Sequence, residues 1–152
     1  MSKVGITHIH AECIGCKACE VQCRSIHGDQ IVSPFCHIRE VQRQKARPHA
    51  VEYSYLACFH CKKPKCVPAC PTGAMRARPD GLVYLEAALC DGCKACVEAC
   101  PWHIPVWNPR SGKVEKCDLC KDRIDHGLEP ACVATCAMGC LHFASADAAA
   151  PH

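Results

Sequence analysis

At 152 residues, 16.6 kDa and a formal charge of +3, the chain has the size of one domain or two very small ones. Ile, Val, Leu and Phe make up just under a fifth of it, too little for an ordinary apolar core, while cysteine alone numbers 18. Staples must therefore organise the fold, either disulfides or metal.

The first ten residues, Met1–His10, show no apolar signal segment, no twin arginine and no small-residue cleavage site. No later stretch approaches the roughly 18–20 apolar residues of a membrane span. These features predict a cytoplasmic chain without membrane insertion, with export beside a signal-bearing partner as the alternative. A cytoplasmic setting disfavours a disulfide framework.

Lys3–His10 predicts a short strand that leads into the first cysteine group. Cys13, Cys16, Cys19 and Cys23 are spaced C-x2-C-x2-C-x3-C, and a helix is predicted over Ala18–His27. Ser33–Pro48, rich in charge and closed by prolines, predicts a connecting loop. Cys58, Cys61, Cys66 and Cys70 follow as C-x2-C-x4-C-x3-C and run into Pro71. Lys62, Lys63 and Lys65 lie between these ligand candidates and read equally as charges that raise that site's potential or attract an acidic partner, and as a solvated charge run. Leu82–Glu86 predicts a strand before Cys90, Cys93, Cys96 and Cys100, which repeat the first spacing and run into Pro101. A helix is predicted over Ala95–Ala99 and a loop over Trp102–Val114. Cys117, Cys120, Cys132 and Cys136 read C-x2-C-x11-C-x3-C, and Ala144–His152 predicts a loose tail. Cys36 and Cys140 remain, read as buried small hydrophobes. Trp102 and Trp107 read as packing residues, and His60 and His103 as ordinary structural or solvent-facing histidines.

Residues 13–23, CIGCKACEVQC, match residues 90–100, CDGCKACVEAC, at seven of eleven positions, Gly15/Gly92 and Lys17/Lys94 among them. A C-x2-C-x2-C loop wraps three corners of a cubane with backbone amides turned toward the sulfurs. The x3 step fits one helical turn and points the fourth cysteine away, toward a second cluster in the bacterial two-cluster pattern. The glycine admits a close backbone approach, and the lysine sets a positive charge beside an anion. The reading is an α+β fold: duplicated bacterial-ferredoxin-like units, loop-rich, with short strands and helices around a cluster-organised core. Zinc competes, because C-x2-C pairs also build zinc ribbons. The fourth group would pass as a zinc site if seen alone, but the tight triples and trailing prolines favour iron. With every thiolate bound in four oxidised clusters, the net charge falls from +3 to about −5, which removes the basis for nucleic-acid binding. No glycine-rich phosphate loop or nucleophile elbow is present, so the chain reads as non-catalytic.

From about Thr7 to Phe143, the four motifs in this order resemble the four-cluster ferredoxin-like subunits of the dimethyl-sulfoxide-reductase type. Residues 66–75, CVPACPTGAM, and 131–136, ACVATC, carry that resemblance most closely. It implies four 4Fe–4S clusters with crosswise ligands. Cys13, Cys16 and Cys19 take Cys136, while Cys117, Cys120 and Cys132 take Cys23. Cys58, Cys61 and Cys66 take Cys100, while Cys90, Cys93 and Cys96 take Cys70. Residues 1–35 and 112–143 then form one dicluster unit and 50–111 the other, joined by 36–49, with 144–152 as a tail. Ala137 and Arg24 stand where the family carries proline, which leaves Cys140 as an alternative to Cys136; the x3 step favours Cys136.

By the same resemblance, the chain relays single electrons to or from a catalytic oxidoreductase subunit carrying molybdenum or tungsten. The compact length favours an aldehyde oxidoreductase, with formate dehydrogenase or hydrogenase next. A free polyferredoxin and a zinc-organised interaction module are the other readings. A further redox subunit or ferredoxin is an implied partner, and head-to-tail stacking into a filament is a further expectation.

Overall fold

A computed structural model of the chain describes residues 4–42 and 51–144. Its strands are short and pair only two by two. β1 (Gly5–His8) pairs antiparallel with β8 (Leu141–Ala144), which closes the two ends of the chain on each other. β2 (His37–Gln42) pairs with β3 (Val51–Leu56), β4 (Met75–Ala77) with β5 (Val83–Leu85), and β6 (Val106–Asn108) with β7 (Lys113–Glu115). Two-stranded pairs are marginal alone and need a face to pack on.

The helices give little independent support. α1 (Ala18–His27) has ten residues, while α2 (Ala95–Ala99), α3 (Lys121–Ile124) and α4 (Ala131–Ala134) have five or four. All are below the length at which a helix is stable in water. The core follows the cysteines instead. Cys19, Cys23, Cys36 and Cys132 are buried with Ile38, Val133 and Leu141, and Cys96 is buried with Met75, Val83 and Val114. A third cluster, Val4, Leu82 and Leu119, lies beside Cys117.

α1 and α2 occupy the predicted ranges, and β1 and β5 are shorter than predicted. Two predicted loops carry strands. Within Ser33–Pro48 the chain forms β2, whose six residues pair fully with β3; residues 43–48 lie outside the described residues. Within Trp102–Val114 lie β6 and most of β7, joined by a turn in which the Gly112 amide donates to the Asn108 carbonyl at 2.9 Å. In both stretches hairpin pairing outweighed the prolines, of which Pro34, Pro105 and Pro109 sit outside the strands rather than inside them. Of the predicted tail, Ala144 ends β8 and 145–152 lie outside the described residues.

The β6–β7 hairpin grips the segment after α1. Asn108 is 1% exposed. Its Nδ2 donates to the Gln30 carbonyl at 2.8 Å and to Glu115 Oε1 at 2.6 Å, while Oδ1 accepts from the Arg110 amide. Glu115 Oε2 accepts from the Val32 amide at 3.2 Å. Asn108→Leu strands both acceptors and is expected to destabilise by about 2–3 kcal/mol. The measurement is the unfolding midpoint of the iron-loaded protein in guanidinium; a midpoint equal to that of the parent would refute it.

Candidate metal centres

The two halves of the repeat share one backbone path. Gly15 has φ 69° and Gly92 75°, and Lys17 and Lys94 cap their helices at φ 60° and 64°. A 3₁₀ turn precedes each loop, His10–Glu12 and Ala87–Leu89. Alternating left- and right-handed residues turn successive amides to one side and make a concavity suited to an anion. The second cysteine of each of the first three motifs, Cys16, Cys61 and Cys93, is exposed at its loop tip. In the fourth motif, Leu119 and Cys120 carry the left-handed angles, at φ 58° and 52°.

Cysteines distant in sequence come together. One cavity is lined by Cys58, Cys61 and Cys66 together with Cys100, which enters from the next motif beside Pro101 and Trp102. Another is lined by Cys13, Cys16 and Cys19 with both Cys136 and Cys140. Cys70 and Cys90 pack on the core around Cys96. Burial pushes Cys96 up to about 11, with Cys70 and Cys90 adding to the rise. Burial likewise pushes Cys120 up to about 11, with Cys132 and Cys23 among the charges that add. None of the 18 cysteines is joined in a disulfide. Loading metal on these thiols must therefore release protons.

Backbone amides point at several of the motif cysteine sulfurs. They reach Cys23 from Phe35 at 3.2 Å, Cys70 from Met75 at 3.4 Å, Cys117 from Leu119 at 3.4 Å and Cys90 from Val114 at 3.5 Å. Such donors favour the thiolate and raise a cluster's potential. Cys36, 1% exposed, donates to the Cys19 carbonyl at 3.5 Å. The Cys36 thiol, with help from the Tyr55 hydroxyl at 3.3 Å, pulls the neighbouring Cys132 sulfur down to about 7. Cys36 is thus buried as expected, yet acts as a donor among ligands rather than as a plain hydrophobe.

Nothing in the sequence singles out His8. Burial, and then His10, lower its pKa and keep the ring neutral. Its Nδ1 accepts from the Tyr55 amide at 3.3 Å, which leaves the proton on Nε2. That Nε2 is buried with no partner among the described residues, and a ring nitrogen of His8 lies within 4.8 Å of both Cys13 Sγ and Cys140 Sγ. A cavity lined by five thiols with a stranded donor beside it fits a cluster whose sulfurs accept hydrogen bonds. His8→Phe keeps the ring and removes the donor. It is expected to lower the midpoint potential of a single cluster in an EPR redox titration, with iron content unchanged; four unmoved potentials would refute it.

The other flagged residues are dispersed. His60 is fully buried and its Nδ1 accepts from the Val83 amide at 3.0 Å, whereas His103 is exposed. Trp102, read as a packing residue, is 59% exposed and tilts against Phe59 at 5.4 Å; Trp107 lies under the Lys94 ammonium at 3.8 Å. Lys62, Lys63 and Lys65 are exposed. Among the described residues no helix is long and apolar enough to cross a membrane.

Two models of the 4Fe–4S dicluster domain match the sequence, over residues 49–146 and 12–75. The chain is a member of this family of 4Fe–4S dicluster proteins and belongs to it over most of its length. The B subunit of the anaerobic dimethyl sulfoxide reductase of Escherichia coli (strain K12) is 35% identical, over 90% of this chain and 71% of the relative. The thiosulfate reductase electron transfer subunit PhsB of Salmonella typhi is 34% identical, over 92% and 74%. The formate dehydrogenase iron–sulfur subunit of Haemophilus influenzae is 36% identical, over 89% of this chain and 49% of its own length. Within the family this is an electron-transfer subunit of the dimethyl-sulfoxide-reductase type, with four 4Fe–4S clusters in two dicluster domains and no catalytic role. Iron–sulfur chemistry thereby displaces the zinc reading.

Proposed function

We propose that the chain relays single electrons for a catalytic subunit carrying molybdenum or tungsten, using four sites with crosswise ligands. Cys13, Cys16, Cys19 and Cys136 form the Cys13 site, and Cys117, Cys120, Cys132 and Cys23 the Cys117 site. Cys58, Cys61, Cys66 and Cys100 form the Cys58 site, and Cys90, Cys93, Cys96 and Cys70 the Cys90 site. The observation that carries this reading is the cavity gathering Cys58, Cys61 and Cys66 with Cys100. The division into units 1–35 with 112–143, and 50–111, is supported by the β1–β8 pairing and by α1 packing on α4.

When bound, 4Fe–4S clusters accept and release one electron each. The protein's share is positional. Hydrogen bonds and local charge set each site's potential, and apolar residues such as Val83 and Leu141 keep water from the sulfurs. The names of the relatives favour a reductase or a formate dehydrogenase as the enzyme served, ahead of the aldehyde oxidoreductase expected from the sequence.

Anaerobic purification of the tagged protein from its native host tests the reading. Iron of about 16 atoms per chain, with molybdenum in a co-purifying larger subunit, is the expected result. Tungsten would restore the aldehyde pairing. Zinc of about four with little iron would overturn the relay. Sedimentation of the same sample tests stacking: one concentration-independent species excludes a filament.

A further inference from the structure

Lys116 is the only lysine or arginine buried among the described residues, at 6% exposure. Its ammonium donates to the Cys117 carbonyl at 2.5 Å and to the Val83 carbonyl. Two carbonyl dipoles hold the group in place but do not cancel its charge. Among the described residues no carboxylate pairs with it. A buried cation without a counter-ion is strongly unfavourable. The structure must therefore set an anion beside it.

The side chain lines the cavity of Cys58, Cys61, Cys66 and Cys100. At its other end, its backbone adjoins Cys117, the first ligand of the fourth motif. Burial pushes both the Cys66 and Cys117 thiols up, and the Lys116 charge pulls each of them back. Cys58 in turn acts on Cys117, so the two sites meet at this lysine. Apart from the cysteines, the cavity's other ionisable lining residue is Lys65, which is exposed.

Resting on the ligand reading above, we propose that Lys116 is the fixed countercharge shared by the Cys58 and Cys117 sites, poising together the two sites at the junction of the dicluster units. A cation stabilises the added negative charge of a reduced site more than it does the oxidised one. The attraction falls with distance, so the Cys13 and Cys90 sites feel it least. Burial keeps solvent and salt from screening it. Both sites at the junction are thereby raised together relative to the Cys13 and Cys90 sites, while the difference between the two is left unchanged.

The test is an EPR-monitored redox titration of the full chain, in its complex, with iron counted on every sample. Lys116→Met keeps the length and removes the charge. Two of the four midpoints are expected to fall, each by at least tenfold in the oxidised-to-reduced ratio at fixed potential, about 59 mV for one electron. Lys116→Arg is expected to return both toward the parent values. Four unmoved midpoints at full iron overturn the proposal, as does an Arg variant that shifts as far as the Met variant. Where Lys116→Met loses iron, Lys116→Gln, which retains a donor for the two carbonyls, serves as the neutral variant and the same two falls are expected. Iron loss from both neutral variants, with the Arg variant intact at parental midpoints, supports the countercharge; iron loss from all three marks a packing role and overturns it. A parent protein that binds zinc, or too little iron for four clusters, defeats the ligand reading itself, which the iron count reports separately.

Discussion

A Cys61→Ala/Cys100→Ala double variant is expected to damage one cluster, whereas Cys93→Ala/Cys100→Ala damages two. Sequence proximity says the opposite, because Cys93 and Cys100 belong to one motif and Cys61 lies far upstream. The geometry decides it. Cys100 ends α2, where its amide bonds the Val97 carbonyl at 3.3 Å, and the chain then leaves at Pro101. That exit carries Cys100 into the cavity of Cys58, Cys61 and Cys66, and the charge of Cys100 acts on Cys66. The buried Cys96 instead feels Cys70 first among the charges. Iron analysis and EPR read the outcome. The first double variant is expected to keep about 12 of about 16 iron atoms, and the second about 8, at four per cubane. Two damaged clusters in Cys61→Ala/Cys100→Ala would sink the crosswise scheme for this pair of motifs.

Much of this was legible in the sequence because ligand geometry is local. The C-x2-C-x2-C-x3-C spacing demands a loop followed by a helical turn, and α1 and α2 each begin at the alanine just before the third cysteine, as predicted. The unforeseen elements are hairpin strands fixed by pairing rather than by residue pattern. β2 presents His37, Arg39 and Glu40, a polar run whose pairing with β3 fixes it as a strand. β6 and β7 are three residues each, below the length at which alternation is readable. The lysines tell the same story. Lys62, Lys63 and Lys65 attracted notice as a run and are exposed, while Lys116, one residue ahead of a ligand, is buried. Nothing in a lysine's sequence neighbours announces burial, because the carbonyl of Val83 that receives it comes from another hairpin.

Gly92→Ala is expected to lose iron to a chelator several-fold faster than Gly112→Ala, though both glycines have left-handed angles, φ 75° and 65°. A side chain in that region costs about 1–2 kcal/mol at either position. At Gly112 a Cβ would stand in open space, so the backbone strain is the whole effect. At Gly92 it would collide with the carbonyl oxygen of Gly112, a backbone atom fixed in the β6–β7 turn. A side chain could swing aside, but that oxygen cannot move without opening the hairpin that also carries Asn108 and leads into Lys116. The matched Gly15 meets a side chain instead, the ring of Tyr53 from β3, which can swing aside where the Gly112 oxygen cannot. The glycine expected to admit a cluster thus also admits, from the other side, the hairpin that closes the loop against solvent. Equal rates of iron loss from the two variants, followed anaerobically by counting released iron, would show that the hairpin yields and that only the left-handed angle matters.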